Sequence, residues 1–225
     1  MNFAKIAFGC MAGLIVAGGA QAQVAVSADI GTTGVGAYLS VPMETTVNGR
    51  FGIHAMERSQ DQRAADVNYD TKASLRTIDI LFDWFALEGS PFRLSAGVIY
   101  NGNKLAATAR PGANGAYTIN GKPYTAAEVG TLEGLIEFRR AAPYFGIGWG
   151  NPLAISRKKW HLMGDLGVIV QGPAKVKLVS LGCTTSQTVC RSLAQDVAAE
   201  RARFADEIDF TKIYPVLRIG AAYRF

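Results

Sequence analysis

The chain has 225 residues, of which 49% are hydrophobic and 18% are charged, a composition that excludes an intrinsically disordered protein. Three cysteines and two histidines are too few for a disulfide-dense scaffold, a four-cysteine zinc site or a multi-histidine metal site. The 23 basic and 18 acidic residues give a net charge of +5 without a strongly basic run. We therefore expect no metal, no cofactor and no nucleic-acid partner.

Residues 1–22 have the pattern of a secretory signal peptide. Lys5 is the only charge, an apolar stretch follows from Ile6 to Ala20, and small residues flank Gln21 at the expected cleavage site. A membrane anchor is the alternative, but the stretch is shorter than the ~20 residues that a spanning helix needs. We predict a cleaved leader over 1–22 and one mature domain over 23–225. The mature domain has no apolar run long enough for a spanning helix.

Segments in which every second residue is apolar recur through the mature chain, which predicts β-strands. In chain order they are VAVSADI, VGAYLSV, FGIHA, LRTIDILFDW, FRLSAGVIYN, WHLMGDLGVIVQ and IYPVLRIGAAYRF. The segment 132–149 is less regular, because Ile136 and Phe138 are even-numbered while Phe145 and Ile147 are odd-numbered. A change of phase between residues 140 and 144 is expected to reconcile the two halves.

Two all-β folds share this alternation. A soluble sandwich turns the apolar face inward, whereas a transmembrane barrel turns it toward lipid. The barrel is favoured by the leader, by charges on the small-residue face and by aromatic residues near strand ends. Those aromatic residues are Trp84, Phe85, Trp149, Trp160, Tyr223 and Phe225. The sequence predicts an all-β fold, a transmembrane antiparallel up-and-down β-barrel.

The connections between strands orient this barrel. Long connections at 59–72, 103–131 and 172–212 alternate with short ones at 42–49, 86–91 and 150–159. Bacterial barrels have an even strand number, long outer loops and short periplasmic turns. Splitting 24–41 at Gly31-Thr32-Thr33-Gly34 gives eight strands and puts the N-terminus in the periplasm.

The outer connections contain local signals of their own. Asn-Gly signals flank Tyr117–Ile119 and predict a small hairpin. Residues 191–209 predict a helix with an apolar face of Leu193, Val197, Phe204 and Ile208. That face either contacts a partner or the membrane, or packs across the barrel mouth, which we favour.

Two cysteines remain once the leader and Cys10 are removed. Cys183 and Cys190 are separated by six residues in a polar segment. An isolated close pair in an exported protein predicts a local disulfide that closes an outer loop.

The polar face of the strands predicts the content of the lumen. The inward charges expected there are Arg58, Asp79, Asp83, Arg93, Glu137, Arg139, Asp165, Arg218 and Arg224. An eight-stranded barrel is just wide enough for side chains to fill it, and an unpaired buried charge costs several kcal/mol. We therefore expect a structural ion-pair network; the alternative is a narrow polar path for small solutes or ions.

The C-terminal sequence IYPVLRIGAAYRF resembles the signal strand of Gram-negative outer-membrane barrels. In that family the terminal aromatic residues, here Tyr223 and Phe225, are read by the barrel assembly machinery. The phrases LFDWFALEGSPFRLSAGVIYNGNKL and AAPYFGIGWGN are similar to a group of small proteobacterial outer-membrane proteins, and the likeness to OmpA- and OmpW-type barrels is looser. The resemblance implies an outer-membrane location and contact with membrane lipid and lipopolysaccharide. It implies no catalytic residues.

An enzyme is the contrasting function, since some eight-stranded barrels hydrolyse or transfer lipid A acyl chains. That chemistry needs a nucleophile beside an aligned base. His54 and His161 are the only imidazoles, and Ser40 and Ser95 share the inward face. Deacylase barrels carry their site on the lipid-facing wall, whereas both histidines are predicted to point inward. We therefore expect a non-catalytic barrel, either structural or a narrow pore.

Overall fold

A computed structural model describes residues 23–64, 67–112, 115–155, 157–207 and 212–225. The predicted leader, residues 1–22, lies outside the described residues. The strands are β1 (Ala25–Gly31), β2 (Gly34–Glu44), β3 (Val47–Ala64), β4 (Val67–Trp84), β5 (Phe92–Asn101), β6 (Lys104–Arg110), β7 (Ala116–Ile119), β8 (Lys122–Thr125), β9 (Thr131–Glu137), β10 (Ala141–Trp149), β11 (Trp160–Val170), β12 (Lys175–Leu181) and β13 (Ile213–Arg224). The helices are α1 (Ala126–Val129) and α2 (Gln187–Glu207). Among the described residues, neither helix combines the length and the apolar character that crossing a membrane requires.

Eight strands close an antiparallel barrel in the order β1-β2-β3-β4-β5-β10-β11-β13, with β13 pairing back onto β1. The closing register places Ile30 opposite Ile219. The predicted fold class and strand number are confirmed. The predicted split of 24–41 is confirmed too, because β1 and β2 are separated only by Thr32 and Thr33.

The barrel turns its apolar residues outward. Large hydrophobic side chains on every barrel strand are exposed, among them Ile30, Val35, Phe51, Ile80, Val98, Ile147, Leu166 and Leu217. Near the end of the barrel that holds the C-terminus, the exposed aromatic residues Trp84, Trp149, Trp160 and Phe225 form a belt. Phe85 does not belong to it, because its side chain is only 7% exposed. An apolar wall with an aromatic belt is the exterior that a bilayer requires.

One side of the barrel wall continues beyond the rim. The upper half of β4 pairs with β6 instead of β5, β6 pairs with β9, and β9 pairs with β12. We call this part, together with the upper half of β3, the extension sheet. The predicted outer connections at 59–72, 103–131 and 172–212 therefore contain much of this sheet.

The predicted change of phase between β9 and β10 is wrong. Even-numbered residues face inward in both strands, since Leu132 is 4% exposed and Ala142 and Tyr144 are fully buried. The apolar face changes sides instead because its surroundings change. In β10 the outward face is part of the exposed apolar wall, whereas in β9 the outer loops pack on the inward face.

A small core lies on the inner face of the extension sheet. The hairpin β7–β8 is present as predicted, and it turns through Asn120 and Gly121, which have φ of 51° and 73°. The buried core residues are Ala109, Tyr117, Ile119, Tyr124, Val129, Leu132, Leu193 and Val197. α2 packs mainly against β12, so it lines the inner face of the wall above the mouth. The side chain of Phe204 and the whole of Ile208 lie outside the described residues.

The predicted disulfide between Cys183 and Cys190 is confirmed. It joins the segment after β12 to the first turn of α2, with the two Cα atoms 6.0 Å apart. Cys183 packs against the core of the extension sheet. The bond therefore fixes the start of the helix to the sheet on which the helix packs.

Candidate functional site in the barrel interior

Charged residues at matching parity meet inside the barrel because alternate residues of a strand point to the same side. On β4, Asp79 and Asp83 both face inward, and their exposures are 0% and 2%. Arg93 on β5 and Arg218 on β13 face the same space, at 0% and 1% exposure. Buried charges of this kind are found in proteins only when they are paired.

The first group, which we call the Arg50 cluster, consists of Arg50, Asp83, Arg93, Ser95 and Asp165. Arg50 Nη1 and Nη2 donate to the two carboxylate oxygens of Asp165 at 2.9 and 3.0 Å. Arg50 Nε also lies 2.8 Å from Asp83 Oδ2. Arg93 Nη2 donates to Asp165 Oδ1 at 2.8 Å, and Ser95 Oγ donates to Asp83 Oδ1 at 2.6 Å. Two cations and two carboxylates leave this cluster neutral.

The second group, the Arg218 cluster, consists of Asp29, Tyr38, His54, Asp79 and Arg218. Arg218 Nη2 lies 2.9 Å from Asp79 Oδ2, and Tyr38 OH donates to the same oxygen at 2.5 Å. His54 Nε2 lies 2.9 Å from Asp29 Oδ1, while Nδ1 lies 3.5 Å from Asp79 Oδ2.

Tyr38 connects the two clusters. The guanidinium carbon of Arg50 lies 4.7 Å from its ring centroid, and that of Arg218 lies 5.6 Å away. The ring fits because Gly52 stands opposite it: a Cβ there would lie 2.2 Å from a ring carbon of Tyr38. Glycine on the inward face thus makes room for the aromatic ring and the cations that stack on it.

Among the described residues, further side chains occupy the interior beside the two clusters. An apolar layer lies next to the charges and consists of Tyr38, Leu81, Ile99, Ala142, Tyr144, Ile169 and Val216. Nearer the mouth, Asn101 Nδ2 donates to Gln171 Oε1 at 3.0 Å. The cavity beside Tyr38, Arg50 and Arg218 measures about 10 Å³, which is room for about one water molecule.

The structure brings together five of the nine predicted lumen charges: Asp79, Asp83, Arg93, Asp165 and Arg218. Arg58 shares the inward face of β3, but it lies above the rim, where β2 has ended, and it is exposed. Glu137 and Arg139 are not in the lumen, because odd-numbered residues of β9 face outward and Arg139 lies in the exposed link to β10.

Arg224 lies at the end of the barrel near the C-terminus, where it is half-buried and donates to the carbonyl of Ala154. Sequence reasoning missed Arg50, Asp29 and the pairing role of His54. Arg50 has the same parity as His54, and extending the strand by one residue from Phe51 would have found it. Asp29 was assigned to a strand, but its partner His54 is not predictable from local pattern.

The geometry does not assemble a hydrolase site. The partners of His54 are Asp29 and Asp79, whereas Ser95 donates to Asp83. His161 is half-buried, and its Nε2 lies 3.1 Å from the carbonyl oxygen of Lys158. A serine hydrolase needs its nucleophile hydrogen-bonded to the base, a contact that neither histidine makes in the described structure. No cluster of metal-ligating side chains occurs among the described residues.

A closed eight-stranded barrel with an apolar exterior and a charged, filled interior has the architecture of a small outer-membrane β-barrel protein. Crystal structures support this class. CarO2 of Acinetobacter baumannii matches with a TM-score of 0.57 at 21% identity, over 91% of this chain and 99% of that one. CarO of the same organism matches with a TM-score of 0.55 at 23% identity, over 89% and 97%. These likenesses concern the fold.

A major outer membrane protein of Thermus thermophilus matches with a TM-score of 0.41 at 17% identity, over 92% of this chain and 100% of that one, a similarity too low to bear on the fold. No protein-family profile matches the chain, and no curated protein sequence matches it.

Proposed function

We propose that this protein is a non-conducting barrel of the outer membrane that holds the extension sheet and α2 at the cell surface. The observation that carries the proposal is the pair Arg50–Asp165. β3 and β11 stand on opposite sides of the eight-stranded barrel, so their bidentate ion pair crosses the interior. In the part of the barrel that the structure describes, a lumen bridged at this level and packed with apolar side chains beside it leaves no continuous path for a hydrated ion.

The outer-membrane location rests on three features. The exterior is apolar around the whole barrel, which suits lipid and not water. Residues 1–22 have the pattern of a cleaved export signal, so the mature chain begins at Gln23 in this proposal. The strand that carries Tyr223 and Phe225 has an alternating aromatic pattern that resembles the signal recognised by the barrel assembly machinery in outer-membrane proteins. Their rings stack edge-on, with centroids 5.1 Å apart.

Conductance in planar lipid bilayers tests the proposal. We expect the wild-type barrel to give no single-channel steps. The double variant Arg50→Ala/Asp165→Ala removes the bridge without changing the net charge, and it leaves Asp83 facing Arg93, so it should raise the conductance. Its matched control is Glu57→Ala/Arg76→Ala, which removes an ion pair on the outer surface with both side chains at least half exposed. The control should stay closed.

Steady steps with ion selectivity in the wild-type protein would instead support a narrow pore. A purified barrel that releases acyl chains from lipopolysaccharide would support the lipid-modifying alternative. Either result overturns the sealed-barrel proposal.

A further inference from the structure

Basic side chains gather on the outward face of the extension sheet, directly beyond the apolar wall. Lys104 and Lys175 stand opposite Glu137 on the two neighbouring strands. Lys177 Nζ lies 3.0 Å from Glu137 Oε2, and Lys104 Nζ lies 3.3 Å from Glu137 Oε1. Arg139 follows two residues after Glu137 and is exposed. We call Lys104, Arg139, Lys175 and Lys177 the basic cluster.

The position of the cluster relative to the apolar wall follows from the chain. On β5 the last outward apolar residue is Tyr100, 47% exposed, and Lys104 comes four residues later. On β10 the outward residues begin at Ala141, two residues after Arg139. The basic cluster therefore lies just beyond the edge of the lipid-facing surface, on the side of the outer loops. This is the depth where lipid headgroups meet water.

The charged side chains of the lysines remain exposed on the outer surface of the extension sheet. The side chains of Lys104 and Lys177 are 53% and 61% exposed although both contact Glu137. Hydrogen bonds from Lys177 and Lys104 lower the pKa of Glu137, so this carboxylate stays ionised and holds the two ammonium groups near each other. Four cations around one carboxylate leave a net charge of +3 on a patch that spans three strands.

We infer that the basic cluster binds the phosphate groups of lipid A in the outer leaflet. This inference rests on the proposed membrane location and deepens it. Phosphates fit because the patch is cationic and its exposed ammonium groups act as point charges for phosphate. A membrane lipid fits because the patch continues the lipid-facing wall, so one molecule places its acyl chains on Tyr100 and its neighbours while its headgroup reaches the lysines. A basic residue at this depth typically strengthens binding to anionic lipid severalfold.

Native mass spectrometry of the detergent-solubilised full chain tests the inference, with bis-phosphorylated and dephosphorylated lipid A as probes. The variant Lys104→Gln/Lys175→Gln/Lys177→Gln should weaken binding of bis-phosphorylated lipid A by about tenfold or more. It should leave dephosphorylated lipid A unchanged. The variant with arginine at the same three positions should bind like the wild type, because it keeps the charge.

The matched control is Arg110→Gln/Arg191→Gln/Arg201→Gln, which removes three exposed cations elsewhere. Arg110 lies six residues beyond Lys104 on β6, about 20 Å farther from the lipid-facing wall. This control should change binding by less than about twofold. Equal loss in the control, or no loss in the glutamine variant, would overturn the inference.

Two further measurements separate this inference from the proposed function. Heat-modifiable migration and flotation with phosphatidylcholine vesicles report barrel insertion without any phosphorylated lipid A. If the wild type does not float, the membrane location itself is wrong. If the triple glutamine variant does not fold, the single variant Lys175→Gln provides the test, and unchanged binding of bis-phosphorylated lipid A would count against the site.

Discussion

Arg50 and Asp165 face each other across the barrel and are joined by two hydrogen bonds of 2.9 and 3.0 Å. Both side chains are nearly inaccessible, at 1% and 5% exposure. Asp165 also accepts from Arg93, and Arg50 also contacts Asp83. The pair is therefore the centre of a neutral four-residue network and not an isolated contact. This network ties strands on opposite sides of the barrel to one another.

Replacing Arg50 by methionine should destabilise the barrel. The substitution leaves one arginine, Arg93, to balance both Asp83 and Asp165 in a buried setting. Breaking a buried pair from one side typically costs about 3–5 kcal/mol. The free energy of unfolding, measured by urea titration in lipid vesicles with tryptophan fluorescence, should fall by that amount.

The control for Arg50 is Arg110→Gln, which breaks a pair with Asp70 whose side chains are 65% and 39% exposed. Exposed pairs contribute at most about 1 kcal/mol, so this variant should unfold almost like the wild type. A similar loss in the free energy of unfolding of both variants would show that burial of the Arg50 network does not add to the stability of the barrel.

Asp79 distinguishes a sealed barrel from an open path. Its carboxylate lies 2.9 Å from Arg218 and accepts from Tyr38 at 2.5 Å. Asp79→Asn keeps the shape but removes the charge that balances Arg218, so we expect a loss of several kcal/mol in the free energy of unfolding. If Asp79 lined an ion path, Asp79→Asn would leave stability nearly unchanged and would shift the reversal potential away from cation selectivity. Both quantities are measurable on the same purified variant.

Phe225 should matter for assembly more than for the finished fold. Its ring is 70% exposed and contacts the ring of Tyr223, which in turn contacts Trp160. Its backbone nitrogen donates to the Val24 carbonyl at 3.0 Å, a bond that Phe225→Ala retains. We expect that variant to lower the yield of heat-modifiable barrel in cells. Trp149→Ala, which removes another exposed aromatic residue of the same belt, should lower it less.

The disulfide should hold the start of α2 and contribute little to the barrel. Unreduced, denatured protein should show no free thiol at Cys183 or Cys190 in quantitative labelling. Reduction should speed proteolysis of the segment between β12 and α2, because Cys183 then loses its bond to the helix. The urea midpoint of the barrel should stay the same, since eight paired strands carry its stability. A large drop in that midpoint on reduction would show that the disulfide also stabilises the barrel, against this prediction.

Asp196 on α2 makes the stability of the core of the extension sheet depend on pH. Hydrogen bonds from Tyr124, Asn120 and Lys122 lower the pKa of Asp196 to about 2 from an ordinary 3.8. The stabilisation is therefore complete above about pH 4 and is lost as the pH falls through about 2. The hydrogen bond to Asp196 is the largest cause that raises the pKa of Tyr124 from 10.0 to about 12. The stabilisation from the Tyr124 hydroxyl is therefore lost only as the pH rises from about 10 through about 12.

Nuclear magnetic resonance in lipid nanodiscs checks this dependence. The side-chain amide of Asn120 donates to Asp196 at 2.9 Å, so its resonance should move as the pH falls from about 4 toward about 2. Asp196→Asn should abolish that movement. Persistence of the shift in the variant would assign it to another carboxyl group.

The sequence by itself determined the strands of the barrel, whereas β6 and β12 of the extension sheet lie in segments that it predicted as loops. Alternation of apolar residues is local, so a segment such as LRTIDILFDW shows its period without any knowledge of its partners. The glycines on either side of Thr32 and Thr33 marked the first turn, because a turn signal is also local in the chain. The disulfide was also predictable, because its two cysteines lie close together in the chain.

The tertiary structure alone decided what each polar residue meets. Arg50 and Asp165 are far apart in sequence, and strand order with register brings them together. Parity placed Arg58 on the inward face, but only the height of β2 shows that the lumen has ended there. The apolar residues of β9 lie on its inward face, where the outer loops cover them, so Glu137 lies on the outward face. Local pattern reports which residues share a face, whereas the medium on each side of that face depends on strands that pair across the whole chain.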